Sequence, residues 1–260
     1  MASSVTIDDF ERAQNKGAAL DLLKSKTEQA MAGLEDRFGR WLLQGQGAED
    51  TTSITTARTS PVNSSVFIEP IPLICEYETS TAWETVGQID PDTDTWWKNQ
   101  VITSAATTYS GQLKEIDHLI NLCSKSAGPG PDLFVADLLG YEQVSAALRA
   151  LQRFVDYEEV GFPWKAIRIN GAPLVFDQFV ADVATPSTTV GAGTKSTIYA
   201  WNSKYSGVSV SSGADFTPGE FVRAPNGTGE TSIIQWYGAH WTSRRDKLGV
   251  MGAFKNNVTS

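Results

Sequence analysis

Two histidines and two cysteines are the only imidazoles and thiols in this chain. His118 and His240 stand far apart, and neither sits in an HxH or HExxH spacing, so no zinc pair is expected. His118 follows Asp117 on the polar side of an apolar helical stripe, which is the position of a surface histidine. His240 falls in the run 234–242, between Trp236 and Trp241. Cys75 and Cys123 have neither CxxC spacing nor a nucleophile motif around them, and they read as buried or free thiols in a reducing compartment. There is no GxSxG elbow. Asp90, Asp92 and Asp94 resemble the opening of a calcium loop, but its sixth position is Thr95 rather than glycine and its twelfth is Val101 rather than glutamate. They read as turn and capping carboxylates. Gly191-Ala-Gly193-Thr-Lys195-Ser196 has the flavour of a phosphate loop, yet its lysine does not follow a glycine and no apolar strand precedes it. The sequence therefore predicts no catalytic residue, no cofactor site and no metal site.

The elements around these residues are more informative. Asp9–Gln44 reads as one long helix: Leu20, Leu23, Ala30, Leu34, Phe38 and Trp41 recur at spacings of three, four or seven and share a face. Lys24, Lys26, Glu28, Glu35, Asp36 and Arg40 supply a solvated face of mixed charge. Thr6 or Asp8 is a candidate cap, and Gly45 with Gly47 a candidate stop. Roughly 36 helical residues would span about 54 Å, too long for the core of an ordinary small domain. Such a helix is a spine across an extended molecule or half of a coiled coil.

Beyond Gln44 the chain reads as short strands, turns and two medium helices. Ala48–Ser65 reads as a loop or an irregular strand, and Val66–Glu78 as an edge strand or extended connector because Pro70 and Pro72 exclude a regular central strand. Asp90-Pro91-Asp92 marks a turn, and Trp96–Thr103 reads as a strand with a heavy aromatic load. Helices are expected over 112–124 and 140–157, separated by the breaker Gly128-Pro129-Gly130-Pro131 and a short strand at Leu133–Ala136. Asn170-Gly171 between Ala166–Ile169 and Pro173–Phe176 is the strongest hairpin signal. Thr185–Lys195 reads as a loop. Strands follow at 197–201, 207–210, 220–223, 232–242 and 248–254, and the class is α+β.

Composition narrows the function. The 260 residues carry a net charge of −9, so there is no overall basic footprint for nucleic acid. No stretch reaches the roughly 18 apolar residues of a membrane span, and the first residues have no signal-peptide pattern. The sequons at Asn63, Asn226 and Asn257 then read as chance matches. Eight tryptophans, among them Trp96, Trp97, Trp236 and Trp241 in expected strands, suit a packed sheet face or an interface.

The order of segments carries a resemblance. Residues 14–24 (QNKGAALDLLK), 95–99 (TWWKN), 131–135 (PDLFV) with Tyr141-Glu142, Gly161-Phe162 with 169–177 (INGAPLVFD), 198–205 (IYAWNSKY) and 244–250 (RRDKLGV) occur in sequence over almost the whole chain. In this order the chain resembles the tailed-phage major capsid proteins of the Hong Kong 97 type. The resemblance implies an α+β fold with a long spine helix, a peripheral domain sheet and an axial domain. It implies a first peripheral part at 1–109 (spine 9–44), an axial domain at 110–208 and closing peripheral strands at 209–260. It also implies a non-enzymatic coat subunit that assembles with itself into hexamers and pentamers of an icosahedral shell. Scaffold, portal and decoration proteins would be further partners, and double-stranded DNA would be enclosed without sequence-specific contacts or any membrane. The place would be the virion, with assembly in the host cytoplasm. Trp96 and Trp97 are expected in the peripheral core, and Arg37, Arg40, Arg244 and Arg245 at contacts with other subunits. The family's N-terminal arm and extended loop have no counterpart in the few residues before the spine, as expected of a lineage with a shortened front or of a truncated chain, so the isopeptide cross-linking of some members is not carried over.

Two rival readings follow from the residues. One is a β-rich protein that binds or hydrolyses carbohydrate on Trp-lined strands. The other is a dimeric coiled-coil scaffold on Asp9–Gln44, although its apolar spacing is not a sustained 3.5 period.

Overall fold

The computed structural model describes residues 2–7, 19–44, 68–78, 83, 85–150, 157–159, 165–180, 195–223 and 230–255. The chain divides into two compact units, Met1–Arg40 with Val208–Ala239, and Trp41–Gly207 with His240–Ser260.

The first unit is a helix on a small sheet. Helix α1, Ala19–Gln44, spans 26 residues, and its part up to Arg40 belongs here. The expected helical residues 9–18 lie outside the described residues, apart from which the helix matches its periodicity. Thr6 is not its cap: it belongs to strand β1, Ala2–Ile7, which pairs antiparallel with a strand near the other end of the sequence, Glu230–Gln235. That pairing also takes in the short strands Thr217–Pro218 and Val222–Arg223. Leu34 and Ile234 are buried against each other, with Ala30, Met31, Phe216 and Phe221 around them. One turn further on, the Phe38 ring packs on Trp236 with centroids 4.8 Å apart. Leu34 and Phe38, two positions of the expected apolar stripe of α1, are thus packed within their own chain, which counts against the coiled-coil reading.

The second unit is built on a seven-stranded mixed sheet. In chain order its strands are β2 (Gln100–Thr103), β3 (Leu133–Ala136), β4 (Tyr157–Glu159), β5 (Lys165–Ile169), β6 (Ala172–Phe176), β7 (Lys195–Trp201) and, named here ahead of the intervening strands, β13 (Gly249–Lys255). Across the sheet they run β2-β13-β7-β3-β6-β5-β4. Helices α2 (Tyr109–Ser124) and α3 (Leu138–Ala150) cover one face. Thr108 caps α2 by accepting from the Gly111 amide. Period-two alternation divides each central strand between two cores. Ile198 and Ala200 join Leu113, Ile116, Leu119, Val144 and Leu148 on the helix side, while Tyr199 and Trp201 join Ile74, Cys75, Val86 and Val250 on the other. Gly249 lets α2 approach, because a Cβ there would stand 2.8 Å from both Cys123 Sγ and a Leu119 methyl. The Asn170-Gly171 hairpin is present, with φ of +49° and +85° at its two corners, the signature of a type I′ turn.

Several expectations are corrected. Trp96 and Trp97 lie in a 3-10 turn, Thr95–Trp97, ahead of β2. Trp97 is buried and donates to the Val86 carbonyl at 3.0 Å, whereas Trp96 is 60% exposed and so is no core residue. The two rings pack edge to face with centroids 5.4 Å apart, Trp97 on the inside and Trp96 on the outside. Pro70 and Pro72 do not end in an extended connector: residues Ile71–Ile74 form a single helical turn, which tolerates proline in its first positions. Helix α3 is described as far as Ala150, residues 151–156 lie outside the described residues, and Tyr157, the expected end of that helix, lies in β4. The run 232–242 is two strands, Glu230–Gln235 and Gly238–Thr242, the second pairing with Ser206–Val210. The expected loops at 48–65 and 185–194 and all three sequons lie outside the described residues.

Numbered in chain order, the remaining strands are β8 (Ser206–Val210), β9 (Thr217–Pro218), β10 (Val222–Arg223), β11 (Glu230–Gln235) and β12 (Gly238–Thr242).

Candidate functional site

The segment 244–247 carries a dense polar constellation among the described residues of the second unit, with Arg245 and Lys247 turned inward. Arg245 is fully buried. Its Nε donates to the Ile74 carbonyl at 2.9 Å, and one terminal nitrogen donates to the Leu73 carbonyl and to Asn99 Oδ1. The carboxylate of Glu76, also fully buried, lies 3.8 Å away. Burial works against the charged form of Arg245, while Cys75, Glu76 and Glu69 work for it. Asn99 extends the cluster by donating to the Glu76 carbonyl. The single turn at 71–74 has free carbonyls at its C-terminal end, and a planar guanidinium is well shaped to collect two of them.

Arg244 and Lys247 do the same for another segment. Arg244 donates to the Ala127 carbonyl at 2.8 Å and to Ser126 Oγ, and forms a two-nitrogen pair with Asp246, 2.6 Å at its shorter contact. Lys247, buried, donates to the Ser126 carbonyl. Burial pushes the Asp246 carboxyl up, but hydrogen bonds from Arg244 and Ser126 and the charges of Arg244 and Lys247 together hold it below its usual value. The segment fastens residues 73–76 and 126–127 to the end of the sheet.

Of the four arginines expected at subunit contacts, Arg245 is therefore enclosed in its own chain, and Arg244 is partly exposed but internally paired. Arg37 is exposed on α1 and Arg40 half-buried. Arg37 and Arg40 belong to the first unit, Arg244 and Arg245 to the second. Sequence reasoning missed the carbonyl-binding role because a basic residue after a strand reads the same whether it faces solvent or a helix end.

The other candidates resolve as local structure. Asp90 accepts from the Asp92 amide and Thr93 hydroxyl, Asp92 pairs with Lys98 at 3.2 Å, and Asp94 accepts from the Trp96 indole. Among the described residues no group of three or more acidic, histidine or cysteine side chains could hold a metal ion. Likewise, no described helix is long and apolar enough to cross a membrane. Most of Gly191–Ser196 lies outside the described residues, and Ser196 is buried in β7. Of the four tryptophans expected in strands, Trp97 and Trp236 are buried, while Trp96 and Trp241 are exposed on separate elements.

What the surface offers is apolar sheet and turn positions. In the first unit Ile233 and Val222 are 48% and 66% exposed, on the face of the β10–β11 ladder opposite Ile234. No family model and no curated protein matches the sequence. Among solved structures, the chain aligns over 99% of its length with 74% of the encapsulin chain in the holo-SrpI encapsulin complex from Synechococcus elongatus PCC 7942, at a TM-score of 0.60 and 10% identity. The fold is Hong Kong 97-like. Weaker likenesses to proteins of this fold are those to the capsid of Myoviridae phage XM1 (TM-score 0.49, 11% identity, 96% of this chain and 71% of that one) and to Gordonia phage Cozz (0.47, 13%, 97% and 69%).

Proposed function

We propose that the chain is the subunit of a closed protein shell, and more narrowly the major capsid protein of a tailed double-stranded DNA phage. The observation that carries the shell reading is the near-complete alignment with a shell protein at a TM-score of 0.60. The ordered segment resemblance supports the phage assignment. On this reading the protein is not an enzyme, and its work is done by repeated contacts in a closed symmetric array. Hexamers and pentamers of the chain form an icosahedral head. Residues 1–109 and 209–260 supply the peripheral domain and 110–208 the axial domain. Arg37, Arg40 and Arg244 are the proposed charged contacts with neighbouring copies, alongside the exposed apolar positions Val222 and Ile233. Arg245 supports that surface from inside. A net charge of −9 suits a container that encloses DNA without gripping it. Scaffold, portal and decoration proteins are proposed partners, the virion the proposed location, and the host cytoplasm the proposed place of assembly.

The encapsulin alignment favours a second reading, a shell of the same fold that is a compartment rather than a virion. Light scattering of the purified protein, with negative-stain images of the same fraction, tests the shared reading: closed shells or capsomer rings support it, and a monomer at all concentrations with bound glycan overturns it. Nuclease-protected double-stranded DNA in particles from the native source supports the phage reading. Particles free of DNA that enclose protein support the compartment.

A further inference from the structure

The chain leaves the second unit after Gly207 and returns to it at His240, so β8 and β12 are the strands by which residues 208–239 are entered and left. One buried polar triplet ties these two strands together. Ser206 Oγ lies 3.3 Å from His240 Nε2 and 3.0 Å from the Trp241 carbonyl, and His240 Nδ1 lies 2.8 Å from the Glu69 carbonyl.

Counting protons shows that the triplet cannot be fully satisfied while the ring is neutral. A carbonyl only accepts, so Nδ1 must carry a hydrogen whether the ring is neutral or charged. In the neutral ring Nε2 is then a bare acceptor, and Ser206 must give it the one hydroxyl proton, leaving the Trp241 carbonyl without that donor. In the charged ring Nε2–H donates to Ser206 Oγ, and the released hydroxyl proton reaches the Trp241 carbonyl. All three contacts are then made by rotating one O–H bond, with no heavy atom displaced.

We propose that His240 and Ser206 form a proton-sensitive tie between β8 and β12, in which acid turns the Ser206 hydroxyl from His240 Nε2 to the Trp241 carbonyl. The proton comes from solvent and returns to it, and no covalent bond changes. The groups around the ring are Trp201 on β7, with its ring centroid 5.3 Å away, Ser206 on β8, Trp241 on β12 and Glu69. Of these only Glu69 titrates; burial raises its carboxyl, with Arg245 opposing. Burial likewise holds His240 below its ordinary value, and the bond to the Glu69 carbonyl opposes that. The completed chain of hydrogen bonds sets the ring up to titrate in place, inside the fold, at a pH below about 6.5.

The test is a pH titration of the imidazole nitrogens by NMR in the full chain, beside the Ser206→Ala variant. The expected result is a neutral ring protonated on Nδ1, a reversible midpoint below about 6.5, and a midpoint lowered further by roughly half to one pH unit in Ser206→Ala, because Nε2–H loses its acceptor. A neutral ring protonated on Nε2 overturns the proposal, as does a midpoint unmoved by the substitution. Protonation that occurs only together with unfolding overturns it too. The tautomer is read on the unaltered protein, so the test stands even where Ser206→Ala does not fold. It is also independent of whether shells form.

Discussion

The buried guanidinium of Arg245 stands 3.8 Å from the buried carboxylate of Glu76, and both side chains are closed to solvent. Two charges taken out of water are costly, so such a pair is held by its hydrogen bonds, here to Leu73, Ile74 and Asn99.

Removing one member leaves the other charge uncompensated. Arg245→Ala is expected to destabilise the protein by about 3–5 kcal/mol, read as a lowered urea midpoint. Arg244→Ala, at a partly exposed pair, costs about 1 kcal/mol or less. Arg245→Met combined with Glu76→Leu recovers most of the loss, since an apolar pair of similar volume carries no desolvation cost. Equal losses for the two single arginine variants would show that the internal lock is misassigned.

Gly33 sits exposed inside α1, and a Cβ added there meets nothing within 4 Å. Gly33→Ala is expected to stabilise the protein by about 0.5–1 kcal/mol, seen as a higher thermal midpoint. The opposite sign applies at Gly171, whose φ of +85° an alanine adopts only with strain, so Gly171→Ala lowers the midpoint.

Asp246 is held below its ordinary pKa by Arg244, Ser126 and Lys247 against the opposing effect of burial. A carboxylate with a depressed folded pKa adds stability above the unfolded value near 3.8, and that stability is lost as pH falls through the folded value. Asp246→Asn therefore destabilises at pH 7, and its difference from the unaltered protein narrows below about pH 4. A stability difference that is constant from pH 7 to pH 2.5 would contradict this.

Burial pushes both thiols up, Cys123 to about 12, and Cys75 is completely enclosed. In native protein at pH 8 neither is expected to react with a thiol-disulfide reagent at better than ~10⁻³ of the rate in denaturant. Rapid native labelling of either would place a thiol at the surface.

The elements legible in the sequence are those specified by neighbours in the chain. Asn170-Gly171 announces its hairpin because only certain residues accept its left-handed corners, and α2 follows from Leu113, Ile116 and Leu119 at helical spacing. What the sequence hides is set by distant partners. Strand β1 has little to mark it until Ile233 and Ile234 pair with it, and Trp96 and Trp97 look alike until a turn buries one ring and exposes the other. The roles of Arg244 and Arg245 were illegible for a related reason: their acceptors are backbone carbonyls, which every residue possesses and no side-chain pattern reveals.

Strand β13 lies between β2 and β7, parallel to the first and antiparallel to the second. During synthesis β2 leaves the ribosome long before β13 exists, so the seven-stranded sheet remains two separate pieces until residues 249–255 emerge. Until then β7 has an open edge, and β2 has no partner in the sheet. Such late, non-local closure makes for slow folding and a nascent stage open to wrong pairing. On the proposed shell reading, an incomplete chain lacks this finished sheet, so closure by β13 precedes competence to assemble.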